Sequence, residues 1–174
     1  MQFDSIICHK KTQPAGYSFR TNSYDHFQLI VVIGGRMDMT VRDTVTLVDR
    51  GSAVVLTPES AFRLACTDRP YRGIAVNLPT EAATWATGPA RACRLDDRTF
   101  RLCLLIEGVL DAPGPGSAPL LEHLGLGLCH AVRGLVPPAG PVDDLVVEAQ
   151  LRIRANLGSP EPLAVVLAGI GASY

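Results

Sequence analysis

Apolar and polar positions alternate along the first half of the chain with the two-residue period of β-strands. In RMDMTVR (residues 36–42), every second residue is apolar and the residues between are polar or charged. FQLIVVI (residues 27–33) is apolar on both faces, which is typical of a strand covered on both sides. Turn-forming residues separate the predicted strands at Gly34-Gly35, 49–51, 57–60 and 67–70. Residues 1–80 are therefore predicted to form a closed or sandwiched β-structure.

From about Asp96 the apolar positions follow the period of an α-helix. Residues 96–110 predict one helix and residues 120–135 a second, joined by the Pro/Gly-rich loop 112–119. The second helix carries a leucine stripe made of Leu120, Leu121, Leu124 and Leu128. PPAGP (residues 137–141) predicts a stiff linker before another helical pattern that runs to about Leu157.

Composition narrows the class of protein. The 174 residues are 47% hydrophobic, so the chain is not intrinsically disordered, and the formal net charge of −1 disfavours a free-standing nucleic-acid binder. The sequence shows neither a signal peptide nor an apolar run long enough to span a membrane. Its five cysteines form no CxxC pair, which favours buried thiols in a reducing, cytoplasmic protein over a disulfide framework or a zinc site.

The segment from Leu151 to Ser173 carries a spaced motif. Ile153 is followed by Asn156-Leu157, then by a proline, a leucine three residues further on, and a Gly-x-Ser turn: Pro160, Leu163, Gly171 and Ser173. This pattern resembles the opening of the DNA-binding domain of AraC-type (arabinose-regulator-type) transcription factors. The order of strands, two helices, linker and motif also resembles the layout of that family.

The resemblance implies a mainly β fold with C-terminal α-structure. Residues 1–95 are expected to form a cupin-like (jelly-roll) effector-binding barrel, and residues 96–136 a helical dimerisation hairpin that contains the leucine stripe. Residues 137–141 would be the linker, and residues 142–174 the truncated start of a helix-turn-helix domain. The sequence ends where the recognition helix would begin, so we expect a fragment or a natural truncation that does not itself read DNA.

Comparison with the cupin motifs suggests which residues line the barrel. With the spacing of those motifs, the positions that hold a metal in cupin enzymes are Asn22, Tyr24, Gln28 and Arg63. Amides, a phenol and a guanidinium cannot replace imidazoles and a carboxylate around a divalent ion, so we expect neither a metal nor another cofactor. In one strand, alternate residues share a face, which adds His26 to this set.

These five residues are therefore the candidate ligand-binding residues, with Arg63 as the group that favours an anionic or strongly polar ligand. The alternative is that Arg63 is an ordinary surface arginine and Gln28 a satisfied core amide. Met37 and Met39 are expected to pack in the core and could line an adaptable wall of the cavity.

The function that this organisation predicts is the ligand-sensing and dimerising part of an AraC-type transcriptional regulator. Its partners would be a small-molecule effector, a second copy of the chain and, in the full-length protein only, DNA. No catalytic residues are predicted. The alternatives are a cupin-type enzyme that binds its metal through unusual ligands, and a binding module with no role at DNA.

Overall fold

The computed structural model describes residues 5–22, 25–58, 60–66, 68–79, 83, 85–86 and 89–136. All of them belong to Met1–Val136, the first of two units into which the chain divides. The predicted linker 137–141, the helix-turn-helix segment 142–174 and Tyr24 lie outside the described residues. The elements are β1 (Ile7–Gln13), β2 (Ser18–Thr21), β3 (Phe27–Val41), β4 (Thr44–Asp49), β5 (Ser52–Leu56), β6 (Phe62–Ala65), β7 (Tyr71–Leu78), β8 (Arg91–Arg94), α1 (Asp97–Asp111) and α2 (Ser117–Arg133).

The eight strands pair antiparallel in two groups that share β3. One group has the order β1-β7-β3-β5-β8, and in the other β6 joins β2 to the second half of β3, which also pairs with β4. A mainly β antiparallel fold followed by two helices, as predicted, is therefore confirmed.

Strand β3 runs through the point where the sequence predicts a turn. Gly34 and Gly35 lie inside this 15-residue strand, at a bulge in its pairing with β7. Gly35 has φ +76°, and a Cβ on it would lie 1.9 Å from the carbonyl oxygen of Pro70. The turn prediction is wrong here because a double glycine can bend a strand without ending it.

Both faces of the first half of β3 are buried, as its sequence predicts. Leu29, Val31 and Ile33 pack with α1 and α2 in a cluster that we call the helix-side core. Ile30 and Val32 point the other way, into a second cluster that we call the interior core. Met37 and Met39 belong to the interior core, where they are 2% and 3% exposed.

The two helices cover one face of the strands. Asp96 caps α1 by accepting a hydrogen bond from the backbone N–H of Thr99 at 2.7 Å. The buried face of α1 is narrow and consists of Thr99, Cys103 and Ile106. The buried face of α2 contains Leu128, Cys129 and Val132, together with Gly125.

The cysteines behave as small apolar residues. Cys66, Cys93, Cys103 and Cys129 are buried, Cys8 is half-buried, and all five are free thiols. Burial raises the pKa of Cys8 to about 11 and the pKa values of Cys93, Cys103 and Cys129 to about 12. These four thiols therefore stay protonated near neutral pH, which makes them poor nucleophiles.

Candidate functional site

A cavity of about 210 Å³ lies within the interior core. Six strands and the loop between β1 and β2 supply its wall. The lining side chains are mostly apolar or aromatic: Lys11, Gln13, Tyr17, Phe19, Met37, Leu56, Phe62, Leu64, Cys66 and Tyr71.

Strand alternation explains which residues reach the cavity. On β6, Phe62 and Leu64 are buried and line it, whereas Arg63 between them is exposed. On β2, Phe19 lines the cavity and pairs in register with Leu64. Phe19 is nevertheless 39% exposed, so part of its ring faces solvent at the edge of the cavity.

A half-buried ammonium group, that of Lys11, is the main charge of this site. Lys11 lines the cavity, and its Nζ donates a hydrogen bond to Oε1 of Gln28 at 3.1 Å. Nε2 of Gln28 in turn donates to Oδ1 of Asn77 at 2.6 Å. Gln28 is 4% exposed and Asn77 9%, so the chain Lys11–Gln28–Asn77 is a polar network inside an apolar core.

The environment of Lys11 disfavours its positive charge. Burial lowers the pKa of the Lys11 ammonium from its ordinary value of 10.5. The pKa of His9, two residues before it on β1, is lowered too, first by burial and then by the charges of Lys11 and His26. His9 is therefore mainly neutral near neutral pH, which leaves Lys11 as the cation of this region.

The structure separates the residues that the sequence placed on one strand face. Gln28 lies on the interior face of β3, as predicted. His26 precedes β3 and its ring pairs with the exposed Asp25. Asn22 is exposed in the bend after β2. The prediction that residues 22 and 28 share a strand face is wrong, because the chain leaves β2 at Thr21 and enters β3 only at Phe27.

Arg63 does not point into the interior. Its Nε donates to Oγ of Ser18 at 3.0 Å on the outer surface, opposite Arg20 in the pairing of β2 with β6. The inward orientation predicted for Arg63 is wrong because its strand neighbours Phe62 and Leu64 take the interior face. A ligand-binding role for Arg63 stays a prediction.

Sequence reasoning missed Lys11, Gln13, Tyr17 and Tyr71. For Lys11 and Gln13 the signal is HKKTQ (residues 9–13), where these two alternate residues line the cavity. Both faces of this stretch are polar, so its hydrophobic pattern cannot say which face is buried. Only the pairing of β1 with β7, which aligns Lys11 with Gly73, assigns the faces.

The predicted leucine stripe is divided between two environments. Leu128 is fully buried, and Leu121 and Leu124 pack against the helix-side core, whereas Leu120 is 47% exposed. Three of the four leucines therefore pack on the apolar face of the strands that lies under the helices. Contact of the stripe with a second copy of the chain stays a prediction. The exposed large side chains of the helices are instead Leu104, Leu105, Leu120 and Leu126.

The described residues contain neither a metal-binding cluster nor a membrane-spanning helix. No cluster of three or more histidine, cysteine, aspartate or glutamate side chains in them is arranged to hold a metal ion. Within the same residues, no helix is long and apolar enough to cross a membrane.

Comparisons with known proteins identify the fold. No family model and no curated protein sequence matches the chain. An apo variant of ToxT from Vibrio cholerae superposes with a TM-score of 0.58 at 10% identity, over 99% of this chain and 72% of ToxT. CuxR, an AraC-like transcriptional activator, superposes with a TM-score of 0.57 at 16% identity, over 97% of this chain and 67% of CuxR.

A third solved structure is wild-type ToxT with an unsaturated fatty acid bound, at a TM-score of 0.52 and 8% identity. It covers 97% of this chain and 69% of that one. At sequence identities this low, these superpositions show a similar fold and nothing more. The chain has the fold of AraC-type regulators such as ToxT and CuxR, in agreement with the resemblance of its sequence to that family.

Proposed function

We propose that this chain is the ligand-sensing part of an AraC-type transcriptional regulator that acts in the cytoplasm. A small polar or anionic effector would bind in the cavity between the strands and change DNA binding by the full-length protein. The observation that carries the proposal is the cavity itself: it is apolar and about 210 Å³ in volume, with one ammonium in its wall. An apolar pocket with a few polar groups is the usual form of a small-molecule site.

Two comparisons support this proposal. CuxR, which shares the fold, is a transcriptional activator, and ToxT has been solved with an unsaturated fatty acid bound. The domain plan is part of the proposal: an effector domain at residues 1–95, helices for dimerisation at 96–136, a linker at 137–141 and the start of the DNA-binding domain at 142–174.

Ligand binding is tested by thermal unfolding of the 174-residue chain against a panel of small carboxylates, amides, sugars and amines. A ligand stabilises the folded chain in proportion to the logarithm of its concentration. The melting temperature should therefore increase with the concentration of any ligand that binds. The best hit is then titrated into full-length protein bound to promoter DNA. Regulation requires the DNA affinity to change, because an effector that binds both states equally shifts nothing.

Dimerisation through the helices is the second part of the proposal. Leu120 is 47% exposed on α2 and is available to a second copy of the chain, and two-fold dimers are the commonest closed assembly. Leu120→Asp should give monomers in sedimentation without loss of folding. The matched control is Leu47→Asp on β4, where the side chain is 50% exposed and belongs to neither helix.

A metal-dependent enzyme is the competing function, and metal analysis of purified protein separates the two. One equivalent of iron, manganese or zinc per chain would favour the enzyme.

A further inference from the structure

We infer that the ligand is a monocarboxylate built on a single ring or a short chain, whose carboxylate replaces Gln28 as the partner of Lys11. This inference rests on the proposed function, since it names the class of effector that the same cavity takes. It commits to one orientation, with the carboxylate at the Lys11 end and the apolar part against the aromatic wall.

The size of the cavity sets the size of the ligand. A cavity of about 150 Å³ accepts benzene, whereas sites for drug-sized ligands run from about 300 to 1,000 Å³. The cavity here, about 210 Å³, lies between these limits. It has room for one six-membered ring and a carboxylate, or for a short alkyl chain and a carboxylate, without movement of the wall.

The wall favours an apolar and flat body. Four of the lining residues are aromatic: Tyr17, Phe19, Phe62 and Tyr71. The rings of Phe19 and Phe62 are 6.0 Å apart between centroids and tilted by 48°, an arrangement that can hold an aromatic edge or face. Met37 adds a flexible, polarisable side chain to the same wall.

The charge of the site favours an anion. Of the described residues that line the cavity, only Lys11 is charged at neutral pH. Its ammonium has three hydrogen-bond donors, and the bond to Gln28 uses one of them on a neutral amide oxygen. A carboxylate would accept a charge-assisted hydrogen bond and would neutralise a charge that burial disfavours.

Gln28 is a positioning residue in this arrangement. Its amide nitrogen stays bound to Asn77, which fixes the side chain when Lys11 turns to the ligand. Strand β7 lies between the strands of Lys11 and Gln28, and its interior positions between these two residues are Gly73 and Ala75. Because both are small, they leave space for the lysine side chain to rotate. The exchange therefore needs a rotation of one lysine side chain and no movement of the strands.

Calorimetric titration of the 174-residue chain with benzoate, benzamide, hexanoate and oleate tests the inference. Benzoate and hexanoate should bind. Benzamide, which has the same shape as benzoate and no charge, should bind at least about tenfold more weakly, because its amide oxygen can accept from Lys11 but does not neutralise the ammonium. Oleate should bind more weakly than hexanoate, since its chain exceeds the cavity.

Lys11→Met should lower the affinity for benzoate far more than the affinity for benzamide, and so remove the preference for the charged ligand. The control is Lys10→Met, the adjacent residue on the opposite face of β1, where the ammonium pairs with Asp111 of α1. This variant should bind benzoate as the parent does. Far-ultraviolet circular dichroism of each variant reports folding independently of binding.

Equal affinity of the parent for benzoate and benzamide would overturn the role of Lys11, and tighter binding of oleate than of hexanoate would overturn the size class. If sugars or amines stabilise the chain while no carboxylate binds, this inference fails and the sensor function stands. If nothing in the panel binds, the sensor function fails as well.

Discussion

The first half of β3, strand β5 and most of β7 are buried on both faces, and the two faces differ in what they contain. The helix-side core is a continuous apolar cluster of strand residues such as Leu29 and Val31 with helix residues such as Ile106 and Leu128. The interior core, on the other face of the same strands, surrounds a cavity of about 210 Å³ and includes the Lys11–Gln28–Asn77 network beside it.

Cavities and buried polar groups both lower the stability of a fold. The members of the helix-side core are apolar, and their burial holds the strands together. The comparison teaches that the two faces of one sheet can have different roles. Apolar packing under the helices stabilises the fold, and this offsets the stability lost to the site on the interior face. Four experiments test whether the two faces contribute to stability in this unequal way.

The largest effect is expected from α2 on the helix side. Leu128→Ala should lower the free energy of unfolding by about 2–5 kcal/mol, because Leu128 is fully buried and its removal leaves a cavity. Leu126 on the same helix is 40% exposed, and Leu126→Ala should change stability by only about 0.5 kcal/mol. Urea unfolding measures both. Similar losses for the two variants would mean that the helix does not close this face.

Two glycines of α2 provide a matched test of how closely this helix packs on β1. A Cβ on Gly125 would lie 2.7 Å from Cγ2 of Ile6 and 2.8 Å from Sγ of Cys8, so Gly125→Ala should force α2 away from β1 at a cost of about 1–3 kcal/mol. A Cβ on Gly127 meets nothing nearer than Leu102 at 3.9 Å. Gly127→Ala should therefore stabilise the chain by up to about 1 kcal/mol through helix propensity. A gain in both melting temperatures would contradict the close packing of α2 on β1.

On the interior face, the half-buried Lys11 ammonium should affect how the free energy of unfolding depends on pH. Burial lowers the pKa of Lys11 below its ordinary value of 10.5, so the unfolded chain binds more protons than the folded chain between the two values. Stability contributed by this group therefore rises with pH through that window and levels off above it. The slope has an upper limit of about 1.4 kcal/mol per pH unit for one proton.

Lys11→Met removes this rise, and Lys10→Met keeps it, because Lys10 is exposed and pairs with Asp111 at the surface. Urea unfolding of the parent and both variants from neutral pH to about pH 10.5 provides the comparison. Parallel curves for the parent and Lys11→Met would show that the ammonium is already well solvated in the folded chain.

The smallest effect is expected where the helices meet the strands at the surface. Nη1 of Arg72 on β7 lies 3.0 Å from Oε1 of Glu107 on α1, with the two side chains 61% and 12% exposed. Arg72→Gln should cost less than about 1 kcal/mol, and high salt should remove most of the difference. Arg36→Gln, which breaks the exposed pair with Asp68 away from the helices, is the control. A loss as large as that of Leu128→Ala would mean that ion pairs and not apolar packing hold the helices.

The candidate site shows where sequence patterns stop being informative. The burial of Met37 and of both faces of Phe27–Ile33 is predicted correctly, because an apolar or half-apolar strand reveals its buried faces through its period. Lys11 was missed because HKKTQ is polar on both faces. Arg63 was misplaced because its register was taken from motif spacing, whereas Phe62 and Leu64 take the interior face of β6. A shift of one residue turns every side chain of a strand to its other face.

By itself, the sequence determined the order of the elements: strands, then two helices, with most turns at their glycine and proline positions. These features are local, because turn chemistry and hydrophobic period act over a few residues. Only the tertiary structure decided that Gly34-Gly35 bends one long strand, that Leu128 belongs to the core, and that Lys11 reaches Gln28 beside the cavity. Each of these depends on what a distant segment places opposite the residue, which no local pattern contains.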